Sequence, residues 1–351
     1  MLGDDMASFA ALYNDRRFPL IPLHKHNAMF RIFCLTTCFY LLGGPLGFVG
    51  FHVVADSPDA TGPNKVDAKE ASKKKVKKKP APFAWVNPIP GKLQHPSLKH
   101  GTFQSPSLGQ EIGYVILLPP SYSEESSERF PVVYYLHGGR PGSETKSLSL
   151  APIIFAAMES RQVREMIYVF VNGGPVSHYN IPDEPTKQGA DVFIKELIPH
   201  VDATYHTVAD RDHRGLEGFS QGGRGTMRLS LRHAELFCSA AAGGGGYETE
   251  RKISESGGRE SETLVFAEGD NTWDLARAYA AQKSPPVQWL IYVGTKGFNY
   301  ENNLAYMKFL ESLDIPFEKL IVPDVPHSGL QIYEKNGLEV MKFHARNFDN
   351  S

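Results

Sequence analysis

The pentad Gly218-Phe219-Ser220-Gln221-Gly222 constrains this chain more than any other feature. It matches G-x-S-x-G and lies between a short strand-like segment, Arg214–Glu217, and a helix-like one running from Gln221 to about His233. A strand that becomes a helix within one residue pushes the serine into strained backbone geometry above a sheet. Side chains on either side of it would collide, so glycine is required at 218 and 222. The helix beginning beyond Ser220 brings its positive dipole end to the hydroxyl, which suits a developing oxyanion. Ser220 is therefore the candidate nucleophile.

The segments around the pentad alternate between short apolar runs and helical patterns. Tyr114–Leu118, Pro131–Leu136, Met166–Asn172, Cys238–Ala242, Thr263–Ala267, Val287–Val293 and Glu318–Pro323 read as strands. Leu150–Met158, Gly189–Ala203, Trp273–Gln282, Glu301–Leu313 and Gly329–Asn347 read as helices. This alternation predicts an α/β class fold with a mostly parallel central sheet and helices on both faces. Ligands of such sheets bind beyond the carboxyl ends of the strands, so the loops there carry the chemistry.

Upstream of this body the composition changes. Ile32–Phe51 is 20 residues without a formal charge, preceded by Arg31 and followed by Val53-Val54-Ala55. It reads as an export signal, with an uncleaved membrane anchor as the alternative. Residues 1–55 are taken as N-terminal extension and signal or anchor, 56–100 as a Lys/Pro-rich disordered linker, and 101–351 as the catalytic domain. Residues 65–79 hold eight Lys against Asp67 and Glu70, a net of +6, whereas the body from residue 80 onward carries −7. Without interleaved aromatics the Lys run is a solvated spacer and predicts no nucleic-acid partner. Of the three cysteines, Cys34 and Cys38 fall in the apolar segment, leaving Cys238 without an intramolecular disulfide partner in the body. The expected location is exported, periplasmic or extracellular.

Two further loops complete the constellation. His137-Gly138-Gly139-Arg140 follows the strand PVVYYL. In an α/β hydrolase that loop gives one oxyanion N–H and Gln221 the other. His327, in PDVPHS after the last strand, is the candidate base, because His233 and His344, the other histidines beyond Ser220, both fall within helices. Tyr179 and Trp273 lie in post-strand loops and are candidate substrate contacts. There is no H-E-x-x-H, Cys/His zinc spacing or P-loop motif, so no metal and no cofactor is expected.

The order HGG, IKELIPHVDATY, GFSQGG and IPFEKLIVPDVPHS resembles the Putative esterase family, which includes feruloyl and acetyl xylan esterases, enterochelin esterase and S-formylglutathione hydrolase. The resemblance covers about residues 105–349. It implies an α/β-hydrolase fold, with a mostly parallel central sheet and helices on both faces, and a cofactor-free serine esterase, often exported, acting on esters of carbohydrate or siderophore-like substrates. It also implies a catalytic Asp in a G-T-x-D element, and here that element is Gly294-Thr295-Lys296-Gly297. Glu301 is the favoured replacement, with Asp270, Asp274 and Asp324 as other carboxylates and Asn299 as a neutral alternative. The missing Asp keeps open a second class of function, a degenerate hydrolase that binds envelope glycans.

Overall fold

Val132–Leu136 (VVYYL) and Ile167–Val171 (IYVFV) are buried at every position. Strands this uniformly apolar belong inside a sheet covered on both faces. The computed structural model describes residues 82–247, 252–255, 259–282 and 284–349. The export or anchor segment and the Lys run lie outside the described residues.

Ten strands are described: β1 (Leu98–Gln104), β2 (Glu111–Leu117), β3 (Val132–Leu136), β4 (Ile167–Val171), β5 (Arg214–Phe219), β6 (Ser239–Gly243), β7 (Lys252–Glu255), β8 (Arg259–Val265), β9 (Gln288–Lys296) and β10 (Glu318–Pro326). Eight of them form one sheet in the order β1-β2-β4-β3-β5-β6-β9-β10. β1 and β2 pair antiparallel, as do β2 and β4, and every pairing from β4 to β10 is parallel. Six strands thus deliver their carboxyl ends to one edge, and the loops holding Gly138, Ser220, Asn299 and His327 gather there.

Side chains alternate across the sheet with period two. Val132, Tyr134 and Leu136 pack with the helix that runs through α2 (Gly189–Asp191), a π-helical stretch at Val192–Leu197, and α3 (Ile198–Thr204). Val133 and Tyr135 point the other way, into a cluster with α1 (Ala151–Glu159) and α7 (Gly329–Asp349), the latter kinked at Asn336. α4 (Gln221–Arg232), α5 (Thr272–Gln282) and α6 (Tyr300–Ser312) share a third cluster with Trp289, Ile291 and Val293 of β9. The expected two-faced α/β sheet is present.

Two expectations need correction. Thr263–Ala267 does not add to the main sheet: β8 pairs only with β7, in a separate two-stranded sheet, and β6 pairs directly with β9. The reason is chemical, since Arg259, Glu260 and Glu262 cannot be buried on two faces, whereas QWLIYV can. Residues 82–100 are likewise no linker. Trp85 is buried and its carbonyl accepts from Gly113 N at 2.7 Å, while Leu98–Gln104 is the edge strand.

Glu144 ties that lead-in to the body. Its buried carboxylate accepts from Asn87 N (2.6 Å), Asn87 Nδ2 (2.9 Å), Asn172 Nδ2 (2.9 Å) and His100 Nε2 (3.0 Å). Truncation strands several donors at once. Glu144→Ala should therefore lower unfolding free energy by about 3 kcal/mol in urea titrations; a loss within ~0.5 kcal/mol would show that the clamp contributes nothing.

Candidate active site

Ser220 sits between β5 and α4 with φ 62° and ψ −119°, a strained conformation for a residue with a side chain. The strain is held by packing. A Cβ at Gly222 would collide with Leu136 O of β3, and one at Gly223 with Gly243 O of β6. Gly243 O also accepts from Ser220 N at 2.8 Å, so the turn is clamped between the ends of the two strands flanking β5. Gln221 opens α4, where the first N–H groups of a helix lack intrahelical acceptors.

His327 follows β10 and closes on this hydroxyl, its Nε2 2.9 Å from Ser220 Oγ. Nδ1 lies 3.2 Å from Asn299 Oδ1. Asn299 is buried, and its Nδ2 donates to Gly244 O, which fixes which amide atom faces the ring. An amide oxygen only accepts, so the imidazole must carry its proton on Nδ1. Nε2 is then left as the acceptor for the Ser220 hydroxyl. Burial lowers the His327 pKa from 6.5 to about 4.

The carboxylates expected to support His327 lie elsewhere. Glu301 is exposed on the first turn of α6 and makes no hydrogen bond to the ring, because that turn points its side chain to solvent. Asp324 pairs with Lys296 at 2.8 Å, Asp274 with Arg277 at 3.0 Å, and buried Asp270 with Arg228 and Arg232. At the position of the missing Asp, a Cβ on Gly297 would lie 3.4 Å from Asn299 Oδ1 and 3.8 Å from His327 Cα. The position adjoins the His327 backbone, and the Asn299 amide reaches the imidazole from two residues downstream.

The Gly138–Gly139 loop lies beside the nucleophile: a Cβ on Gly138 would be 3.8 Å from Ser220 Oγ. Gly139 has φ 67°, which glycine adopts without strain. Three side chains hold this loop. His137 Nδ1 donates to Gly138 O (3.0 Å) while its Nε2 accepts from Gly173 N (3.2 Å). His178 Nε2 donates to His137 O (3.0 Å), and Ser177 Oγ to Gly139 O (2.5 Å). Burial drives the His137 pKa down to about 3 and that of His178 well below 6.5, so both rings are neutral and can act as donor and acceptor.

The two substrate candidates are not in the cleft. Tyr179 is fully buried, with the Arg228 guanidinium 4.2 Å from its ring centroid and Phe266 packed at 5.1 Å. Its hydroxyl reaches Gln221 Oε1 at 3.5 Å, so it supports the start of α4. Trp273 stacks on Phe309 at 4.1 Å within the α5–α6 packing. The open space is instead a cleft of about 320 Å³ bordered by Gly138, Phe219, Ser147, Leu150 and Leu330. His178 and Ser177 were missed as loop supports; their signal was the run NGGPVSH directly after β4. Among the described residues no group of three or more His, Cys, Asp or Glu is placed to hold a metal ion.

Comparison with known proteins gives the family and the fold. Residues 105–311 match the family described as "Putative esterase". An esterase of Mycobacterium tuberculosis is 28% identical over 153 residues, covering 43% of this chain and 32% of the relative. An endo-1,4-beta-xylanase/feruloyl esterase of Xylanibacter ruminicola is 28% identical over 152 residues, covering 41% of this chain and 21% of the relative. The matches therefore span a third or less of the length of these curated relatives. A ferulic acid esterase structure superposes with a TM-score of 0.60 at 20% identity, covering 71% of this chain and 98% of that one. An S-formylglutathione hydrolase from Staphylococcus aureus gives 0.58 at 18% identity, covering 72% and 100%. At such identities the structural likeness shows the α/β-hydrolase fold.

The turn itself is testable without any substrate. Gly222→Ala forces a methyl group into Leu136 O and should destabilise the protein by about 3 kcal/mol or prevent it from folding. A variant with wild-type urea midpoint would show that the turn relaxes freely.

Proposed function

The chain belongs to the Putative esterase family, and we propose that it is a carboxylic ester hydrolase in which Ser220 is the nucleophile, His327 the general base and acid, and Asn299 the residue that orients His327. The observation that carries this reading is the continuous relay from Ser220 Oγ through the His327 ring to Asn299 Oδ1.

In this mechanism the Ser220 hydroxyl gives its proton to Nε2 as Oγ adds to the ester carbonyl. Backbone N–H groups of Gln221 and of the Gly138–Gly139 loop hold the oxyanion. Imidazolium then donates the Nε2 proton to the departing alkoxide, leaving an acyl-Ser220. Water, deprotonated by His327, releases the acid. Asn299 holds Nδ1–H throughout, so the ring keeps its tautomer and its aim. Asn299 takes the place expected of Glu301, which has no role here.

The substrate we propose is an ester carried by a carbohydrate, supported by the xylanase/feruloyl esterase among the relatives. The 320 Å³ cleft suits a small acyl group. Action outside the cytoplasm is supported by the uncharged run Ile32–Phe51 and the Lys-rich stretch after it.

Hydrolysis of 4-nitrophenyl acetate tests the nucleophile. Wild-type protein should turn it over and label at Ser220 with a fluorophosphonate, and Ser220→Ala should do neither; equal rates in the two proteins would overturn the reading. Asn299→Ala should cost roughly tenfold in kcat with little change in KM, whereas Glu301→Gln should leave both near wild type. The reverse pattern would restore Glu301 as the supporting group.

The pH profile follows from the buried ring. Only neutral imidazole accepts a proton, and burial lowers its pKa from 6.5 to about 4. The acid limb of kcat/KM should therefore fall as pH drops through about 4. Asn299→Asp places a negative charge against Nδ1–H, favours imidazolium and should move that limb to higher pH. A wild-type limb near 6.5 would show a ring open to water.

A further inference from the structure

Phe298 is the side chain that no role above absorbs. It stands between Gly297, where the acid is missing, and Asn299, which faces the imidazole. It is 61% exposed, one of few large apolar side chains so placed among the described residues. Its ring lies against His327 with centroids 4.3 Å apart and planes at 48°. Phe219 covers another side of the imidazole at 4.8 Å and 40°. The base is thus enclosed between two aromatic rings, one anchored in the core and one on the surface.

We infer that Phe298 is a positioning residue: its ring keeps water off the His327 imidazole and supplies part of the restraint that a carboxylate would otherwise provide. The inference rests on the Ser220–His327 reading, and it assigns a task to a residue outside that relay. Three features carry it. An exposed phenylalanine gains little from burial, so packing alone does not explain its place. Its inner face is occupied by the one ring whose orientation the chemistry needs. The neutral amide of Asn299 restrains Nδ1 but leaves the ring faces open, and Phe298 closes one of them.

Charged groups around the ring do not account for its state. Lys296 at the end of β9 and Asp324 near the end of β10 pair with each other at 2.8 Å. Glu301 on α6 is exposed, and Lys335 on α7 donates to Pro323 O. Lys146, beside the Gly138–Gly139 loop, donates to Pro141 O. The hydrogen-bond partners of the His327 ring, Ser220 and Asn299, are uncharged. Burial is the cause of its lowered pKa, and Phe298 provides the removable part of that burial.

Phe298→Ala and Phe298→Leu separate this role from others. In Phe298→Ala the acid limb of kcat/KM for 4-nitrophenyl acetate should rise from about 4 toward 6.5, with kcat reduced severalfold and KM nearly unchanged. Leucine should restore most of both values, because apolar cover rather than aromaticity is what matters. A limb that stays in place, or a change confined to KM as expected of a substrate platform, overturns the inference. Titration of the His327 ring by NMR, assigned with His327→Gln, gives the same answer without turnover. Absence of ester hydrolysis would then sink the catalytic reading, while an unchanged ring titration in Phe298→Ala would sink this one.

Discussion

The backbone of Ser220 is the constraint on which the site depends. A φ of 62° at a serine persists only if its surroundings permit no relaxation, and here β3 and β6 both press on the turn. The same contact organises the neighbouring loops. Gly243 O receives Ser220 N, and the next two carbonyls, Gly244 O and Gly245 O, receive the side-chain amides of Asn299 and Asn303. Asn303 Nδ2 also donates to Asn299 O at 2.7 Å. The run Gly243–Gly246 therefore approaches the elbow closely on one side and presents its carbonyls to α6 on the other. Ser220 and Asn299 are both referenced to one short piece of backbone.

Support from the opposite face of the sheet follows the same logic of satisfied polar groups. Glu217, one residue before Gly218, is fully buried, and burial pushes its pKa up to about 8. Protonated at neutral pH, it avoids placing a bare charge beneath the turn. Tyr333 of α7 donates to it at 2.5 Å, and Tyr292 of β9 reaches both Glu217 Oε1 and Gly218 O at 3.3 Å. Uncharged donors and acceptors thus run from α7 through the sheet to the elbow. His137 does likewise beside the Gly138–Gly139 loop, where a ring that donates at Nδ1 and accepts at Nε2 serves only in its neutral form. The site is built almost wholly from neutral hydrogen bonds.

This explains what could be read from the sequence. The elbow, the parallel sheet and the positions of Ser220 and His327 follow from rules of backbone geometry and apolar periodicity, which act locally. β8 was misread because a short apolar tail, TLVFA, hid the charges of Arg259, Glu260 and Glu262, and the edge strand Leu98–Gln104 because it follows a polar stretch. Tyr179 and Trp273 sat in the right loops, yet burial depends on which distant rings pack against them. The acid was hardest. Glu301 had the right chain order and charge, but helical phase turns it outward, whereas Asn299 at the entrance of α6 faces in. Phase at a helix start is set by the preceding loop, and no sequence pattern reports it.

Gly297 and Asn299 are coupled through space. A side chain at 297 would begin 3.4 Å from Asn299 Oδ1, so an Asp there would bring its oxygens against the amide oxygen and compete for the same Nδ1–H. With glycine at 297 the amide occupies the space unopposed. It fixes the tautomer as a carboxylate would, because both present only lone pairs to Nδ1. What it cannot supply is a full negative charge to offset imidazolium, which in a water-poor setting is the larger contribution to proton affinity. The amide therefore supplies orientation without the basicity that a carboxylate would add. An imidazole so arranged binds a proton weakly, and with burial lowering its pKa to about 4 it stays neutral where a carboxylate-supported ring would already be charged.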